Sequence, residues 1–284
     1  MKRLKVLTLS SLLLLVGCGP AVGSASAPAT QAPTATSAPP SVPAPRTLTV
    51  FAAASLTDAF SEIGHGFEAS HPGVTVRFNF AGSQTLSTQI TQGAAADVFA
   101  SANHTEMDKV VSAGLVSQGA PRDFLTNVLV VILPKGNPAN LLTLRDLARP
   151  GIKLDLGDET VPAGKYARQV LDNMSKDPSY SVGFAAQVLA NVVSNESDVK
   201  QVVAKVQLGE ADAGIVYVSD AIAAPELRTI EIPANLNVVA KYPIAALTQA
   251  AQPELASEFI DAVLSAEGQA VLKKWGFTPV APEG

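Results

Sequence analysis

From residue 47 onward, short apolar or alternating runs bounded by small polar turns trade places with stretches whose apolar residues recur at helical spacing. That order predicts an α/β protein with a largely parallel sheet. Residues 47–53 read as a strand that runs directly into Ser55-Leu56-Thr57-Asp58. There Ser55 suits the N-cap and Asp58 the capping-box position, and Leu56, Ala59, Phe60, Ile63 and Phe67 follow as a helix face. After His71-Pro72-Gly73, the alternation of Val74, Val76, Phe78 and Phe80 with Thr75, Arg77 and Asn79 predicts a second strand. The polar turn Ala81-Gly82-Ser83-Gln84-Thr85 then opens a helix carrying Leu86 and Ile90. A third strand, residues 97–100, leads to Asn103 with Glu106 three positions on, a further capping box.

Residues 125–133 read as one continuous apolar strand, stopped by Pro134 and Gly136. A short helix at 143–148 and a strand at 152–156 precede the loop 157–164, where Pro162 suits the first helical position because its missing N–H would be unpaired there. Tyr166, Val170, Leu171 and Met174 continue that helix. Ser194-Asn195-Glu196-Ser197-Asp198 caps a second helix with the stripe Val199, Val202, Val203 and Val206. A strand at 214–218, a helix from Ser219, a β-like run at 238–246 and helices at 253–264 and 266–275 complete the pattern, with no repeat of fixed period.

Ahead of residue 47 the pattern is different. Lys2, Arg3 and Lys5 precede an apolar run of 12 residues, 6–17, broken only by Thr8, Ser10 and Ser11. A bilayer anchor needs roughly 20 apolar residues, so residues 1–17 read as a secretory signal peptide. Leu15-Val16-Gly17-Cys18 resembles the bacterial lipobox, in which the signal is cut before a cysteine that becomes lipidated. Residues 19–45 hold seven prolines, eight alanines, four serines and three threonines and no charge. Such a segment buries too little to offset chain entropy. Residues 18–46 are therefore expected to be a lipidated Cys18 plus a semi-extended tether, of about 3 Å per residue.

Charge and cysteine count narrow the function. The 284 residues carry a formal net charge of −5, and cleavage before Cys18 leaves 17 basic against 25 acidic side chains, a balance of −8. No clustered positive charge speaks for nucleic acid. One cysteine excludes a disulfide scaffold and a thiolate zinc cluster. The hydrophobic fraction of 47% suffices for one large domain or two smaller ones.

What remains is a set of helices that start at small or hydroxylic residues just after strands or tight loops. A helix N-terminus presents unpaired N–H groups and partial positive charge, so several of them around one cleft would hold an oxyanion without a full charge. Enzyme chemistry fits poorly. Ser55 lies in AAASL, which is neither a Gly-x-Ser-x-Gly elbow nor a glycine-rich phosphate loop. Asp158-Glu159 sits in a loop, and His65, His71 and His104 lack metal-ligand spacing. The protein is expected not to be an enzyme.

The runs TVFAAASLTDAF, FAGSQTLSTQI, AADVFASAN, GDETVPAGKYA, LGEADAGIVYVSDA and KKWGF, in order over residues 47–277, resemble the molybdate-binding proteins of bacterial ABC importers. The resemblance implies a two-lobed, type II-like periplasmic-binding-protein fold, each lobe a mixed sheet flanked by helices, joined by two chain crossings. One lobe would take residues 47–128 and 238–284, the other 129–237. It implies closure on one tetrahedral oxyanion, held by the hydroxyls of Ser55, Ser83 and Tyr217 and the main-chain amides of Ala163 and Val199. The metal would be held through its oxygens, with no direct protein ligand and no cofactor. Gly82 stands where many relatives have serine, and Val218 where a small residue is common. Further implications are an extracytoplasmic, membrane-tethered monomer and docking of the closed form on a permease.

These five positions supply donors and no carboxylate acceptor. A protonated phosphate would leave its O–H unsatisfied, at about 1–3 kcal/mol, so molybdate, tungstate or sulfate fits better. With no ionised side chain at the site, affinity is expected to be nearly flat between about pH 6 and 8. The alternatives beside this reading are a binder of another ligand, such as sulfate or ferric iron, the iron option being disfavoured because Tyr166, Tyr180, Tyr217 and Tyr242 are never adjacent, and a secreted hydrolase using Ser55 or Ser83.

Overall fold

The strands sort into two separate mixed sheets. The computed structural model describes residues 45–280; the expected signal peptide, Cys18 and nearly all of the tether lie outside the described residues. The first sheet contains β1 (Arg46–Ala53), β2 (Val74–Ala81), β3 (Val98–Ala100), β4 (Arg122–Asn127), β10 (Ala240–Ala246) and β11 (Thr278–Pro279), in the order β11-β4-β10-β3-β1-β2. The second contains β5 (Leu129–Leu133), β6 (Leu154–Gly157), β7 (Val192–Glu196), β8 (Ala213–Tyr217) and β9 (Arg228–Glu231), in the order β7-β6-β8-β5-β9. Each sheet with its helices is called a lobe below.

The expectation of a largely parallel sheet is corrected. β1 pairs in parallel with β2 and β3, and β6 with β7 and β8, but β10 runs antiparallel to β3 and β4, and β5 antiparallel to β8 and β9. β5 and β10 are the strands by which the chain enters one sheet from the other. They arrive without a crossover helix of their own sheet, which a parallel neighbour requires.

The single apolar strand expected over 125–133 is also corrected. It is two strands in two sheets: Leu125 pairs with Tyr242 and Leu129 with Tyr217. Asn127 makes the break, its Oδ1 accepting the N–H of Val128 at 2.9 Å, a local bond that competes with the ladder. The return crossing repeats the device. Asn237 Oδ1 accepts from Val238 N at 2.8 Å and from Leu129 N at 3.0 Å, and its amide donates to Leu129 O at 2.8 Å. Two Asn-Val steps thus lie side by side where the lobes join.

The cores follow from strand alternation. In β1, Val50 and Ala52 enter one buried cluster while Phe51 between them enters another, so both faces are apolar and the strand is central. Phe60 of α1 (Thr57–Ser70) meets Phe259 of α8 (Pro253–Leu264) edge-on, with ring centroids 5.9 Å apart. In the second lobe, Val170, Leu171 and Met174 of α4 (Pro162–Lys176) and Val202 and Val206 of α6 (Val199–Gln207) cover the sheet. β7 and β9 have no counterpart in the sequence pattern. Both are edge strands with mostly exposed or half-exposed side chains, so they lack the apolar alternation that marks a covered strand.

Candidate functional site

Ser55, Ser83, Ala163, Val199 and Tyr217 all line one narrow cleft between the lobes, together with Gly82, Ala102 and Asp198. Each reaches it by a different local device.

Ser55 is not the expected helix cap. It sits inside a 3-10 turn, Ala54–Leu56, between β1 and α1, and α1 begins at Thr57 with no side-chain cap. The tighter turn satisfies the early amides with nearby carbonyls, and Thr57 Oγ1 donates to Ala54 O at 2.7 Å. Ser55 is thereby freed from the backbone, and its buried Oγ lies 2.9 Å from the hydroxyl of Tyr242 in β10. Ser83 opens α2 (Ser83–Thr91), and its Oγ accepts the N–H of Ala102 at 3.0 Å. An amide only donates, so the Ser83 proton remains for an acceptor in the cleft.

The second lobe contributes backbone. Ala163 follows Pro162 at the start of α4, and Val199 is the first residue of α6, where amides have no intrahelical acceptor. Gly164 allows α4 to start so close to the sheet: a Cβ there would lie 2.2 Å from the carbonyl oxygens of Gly157 and Asp158. Asp198 caps α6, accepting from Gln201 N at 3.2 Å. Tyr217 ends β8 at 1% exposure, and among the described residues no well-formed hydrogen bond reaches its hydroxyl, which has only the Tyr242 hydroxyl for a polar neighbour. Burial pushes that hydroxyl well above the ordinary tyrosine range, so it is a neutral donor. An orphaned, buried O–H facing a cleft of donors marks a place that an acceptor completes.

Three points were not legible in the sequence. Tyr242 and Ala102 hold the two serines from distant positions, and no local pattern announces such partners. Asp198 also borders the cleft, with both carboxylate oxygens turned to Gln201. Gly82 has a reason in space, since a Cβ there would lie 2.4 Å from the carbonyl of Ser197 in the other lobe.

The competing chemistries find little support in this geometry. Ser55 and Ser83 contact Tyr242 and Ala102 rather than a histidine, while His71 and His104 pair with Glu258 and Asp123. Tyr217 and Tyr242, far apart in sequence, have ring centroids 5.8 Å apart, which corrects the adjacency argument against iron. Burial raises both hydroxyls, however, and this opposes the phenolates that a ferric ion takes. Among the described residues no group of three or more His, Cys, Asp or Glu could hold a metal ion.

Two mixed sheets joined by two crossings, with a donor-lined cleft between them, define the class of two-lobed solute-binding proteins. The chain belongs to the bacterial extracellular solute-binding proteins, whose family model matches residues 48–278. It is accordingly a binding protein that acts outside the cytoplasm and not an enzyme. It is 41% identical over 264 residues to the molybdate-binding protein ModA of Mycobacterium tuberculosis, a match covering 93% of this chain and 92% of that one. Among solved structures, the sulfate-binding protein SubI of M. tuberculosis aligns with a TM-score of 0.75 at 20% identity, covering 84% and 88%. The periplasmic molybdate-binding protein of Azotobacter vinelandii aligns with a TM-score of 0.71 at 21% identity, covering 83% and 100%. These two likenesses speak for the fold alone.

Proposed function

We propose that the protein binds molybdate outside the cytoplasmic membrane and delivers it to the permease of an ABC importer, the lobes closing on the tetrahedral oxyanion. The reading is carried by the convergence of hydroxyl and amide donors on one cleft, with the buried Tyr217 hydroxyl left without a well-formed hydrogen bond among the described residues. The 41% identity to a molybdate-binding protein supports molybdate over sulfate, since a sulfate-binding protein of Synechococcus elongatus is 24% identical and SubI 20%. Tungstate, a dianion of the same shape, shares the site. Ser55 and Ser83 contact the anion from the first lobe, and Ala163 N–H, Val199 N–H and the Tyr217 hydroxyl from the second. An anion touching both lobes stabilises the closed form by its differential affinity, as hinge closure requires. The two lobes correspond to 47–128 with 238–284 and to 129–237. The mature protein is a monomer held to the membrane by lipid on Cys18 through the 18–46 tether.

Thermal melting with molybdate, tungstate, sulfate and phosphate tests the ligand. Anion at about 1,000 times its dissociation constant adds about 4 kcal/mol, or roughly 8–16 °C for a chain of this size. Molybdate and tungstate are expected to give that shift and phosphate none. No shift with molybdate would overturn the reading. The anchor is tested by Cys18→Ala, which should move the protein from the membrane fraction into the medium or periplasm.

A further inference from the structure

Beyond the donors themselves, the start of α6 is gripped by the opposite lobe on both sides of Val199. Lys200 Nζ lies 2.6 Å from Asp58 Oδ2, in the first turn of α1. Ser197 O accepts from Gln84 Nε2 of α2 at 2.8 Å. Among the described residues, Lys200–Asp58 is the one ion pair that joins the lobes.

The two ends of that pair are not equivalent. Lys200 also lies 3.4 Å from Oδ1 of Asp220, on α7 (Val218–Ala223) of its own lobe. Asp220 is fully buried, and its Oδ2 takes the N–H of Tyr217 at 3.3 Å. Burial pushes Asp220 up to about 6 against the pull of Lys200. Burial lowers Lys200, but Asp220 and Asp58 more than offset this and hold its ammonium above the ordinary lysine range. Lys200 therefore has a resident partner in its own lobe, whereas Asp58 comes to it from the opposite lobe. Asp58 stands three residues from Ser55, and Lys200 directly follows Val199, so the contact closes beside the anion donors of both lobes.

We propose that Asp58 and Lys200 form an ionic clasp across the cleft that holds the closed form and slows release of the anion, although neither side chain lines the anion cleft. The inference rests on the binding function proposed above and adds residues to it. A pair that bridges the lobes acts on retention, and exposed charge contributes a salt-sensitive part of it. Asp58→Asn is the informative change, because Lys200 keeps Asp220; Lys200→Met would leave a buried carboxylate unpaired and test folding instead.

The test compares the mature wild-type protein, Asp58→Asn and Gln84→Ala. Molybdate affinity and release rate are measured at about 20 mM and about 500 mM salt, alongside solution scattering of the ligand-free forms. Asp58→Asn is expected to weaken molybdate about three- to tenfold, chiefly through faster release. It should also lose most of the salt dependence of release that wild type and Gln84→Ala retain, while its ligand-free melting temperature stays within about 2 °C of wild type. Wild-type affinity, release rate and salt response in Asp58→Asn would overturn the clasp. Wild type that binds no molybdate would instead overturn the parent function; the clasp then stands or falls on whether Asp58→Asn gives a larger ligand-free radius of gyration than wild type.

Discussion

The two lobes face the same cleft with different materials. The six-stranded lobe brings side chains, Ser55 and Ser83, each already held by a buried neighbour, Tyr242 and the Ala102 amide. The five-stranded lobe brings the first amides of α4 and α6 and one side chain, Tyr217, whose hydroxyl has no well-formed hydrogen bond among the described residues. In the first lobe, donors are oriented before any ligand arrives. In the second, the backbone donors are fixed by helix geometry, and the one mobile proton is left for the ligand to satisfy. Removing a donor should therefore cost stability on one side of the cleft and none on the other.

The largest expected effect is on the pre-oriented side. Ser83→Ala removes a hydrogen bond to a charged group, about 1.5–3 kcal/mol, and should weaken molybdate about 10- to 100-fold in calorimetric titration. It also deprives the Ala102 N–H of its acceptor, at about 1–3 kcal/mol. The ligand-free protein should then melt several degrees lower, at about 2–4 °C per kcal/mol. Lower affinity with unchanged melting would show that the Ala102 amide is not tied to Ser83, and the contrast between the lobes would lose its first half.

Tyr217→Phe should behave differently. Affinity falls about tenfold, the worth of one hydrogen bond to the anion. The ligand-free melting temperature should hold or rise by about 2–4 °C, because a buried unsatisfied hydroxyl is removed from an otherwise unchanged ring. A lower ligand-free melting temperature would mean that the hydroxyl has a partner before the anion binds.

The same contrast explains what could be read from the chain. Several local signals hold: Pro162 opens α4, Asp198 caps α6, and α8 spans Pro253–Leu264 as its apolar spacing predicts, whereas the local box at Ser55 and Asp58 does not form. At Asn103 only half of the expected box forms. Its side chain caps Glu106 N at 2.9 Å, but Glu106 itself turns away to Ser87 and Lys109. Where the determining contact is distant, the pattern was silent or misleading. Nothing near Ser55 announces Tyr242, 187 positions away. In the run 125–133 the polar pair Thr126-Asn127 marks the join, but two polar positions do not by themselves say that the flanking residues belong to different sheets. The cleft positions came from family motifs; the partners that orient them came from topology.

The smallest expected effect on anion binding, none at all, concerns a second pair of buried groups, one in each lobe. Asp97 in the first lobe accepts the N–H groups of Thr49 at 2.7 Å and Gln252 at 2.9 Å. Asp155 on β6 is fully buried, and among the described residues neither carboxylate oxygen has a well-formed hydrogen bond, with the Leu156 amide and the Glu196 carboxyl nearby. Burial first, and then the charge of Glu196, push it up to about 7. The folded state therefore holds a proton at Asp155 more tightly than the unfolded chain, whose aspartates titrate near about 3.9. Stability from this group is present at low pH and is lost as pH rises from about 4 through about 7. Asp155→Asn should remove that loss. Its gain over wild type should be larger at pH 8 than at pH 5 by on the order of 2–3 kcal/mol, measured by denaturant unfolding at both values. Molybdate affinity should not change, because Asp155 does not line the cleft. Parallel unfolding curves for the two proteins at both pH values would show that Asp155 is compensated after all. A true difference would separate two kinds of orphaned group within one lobe: Tyr217, in the cleft, which a ligand can complete, and Asp155, beneath it, which only a proton can.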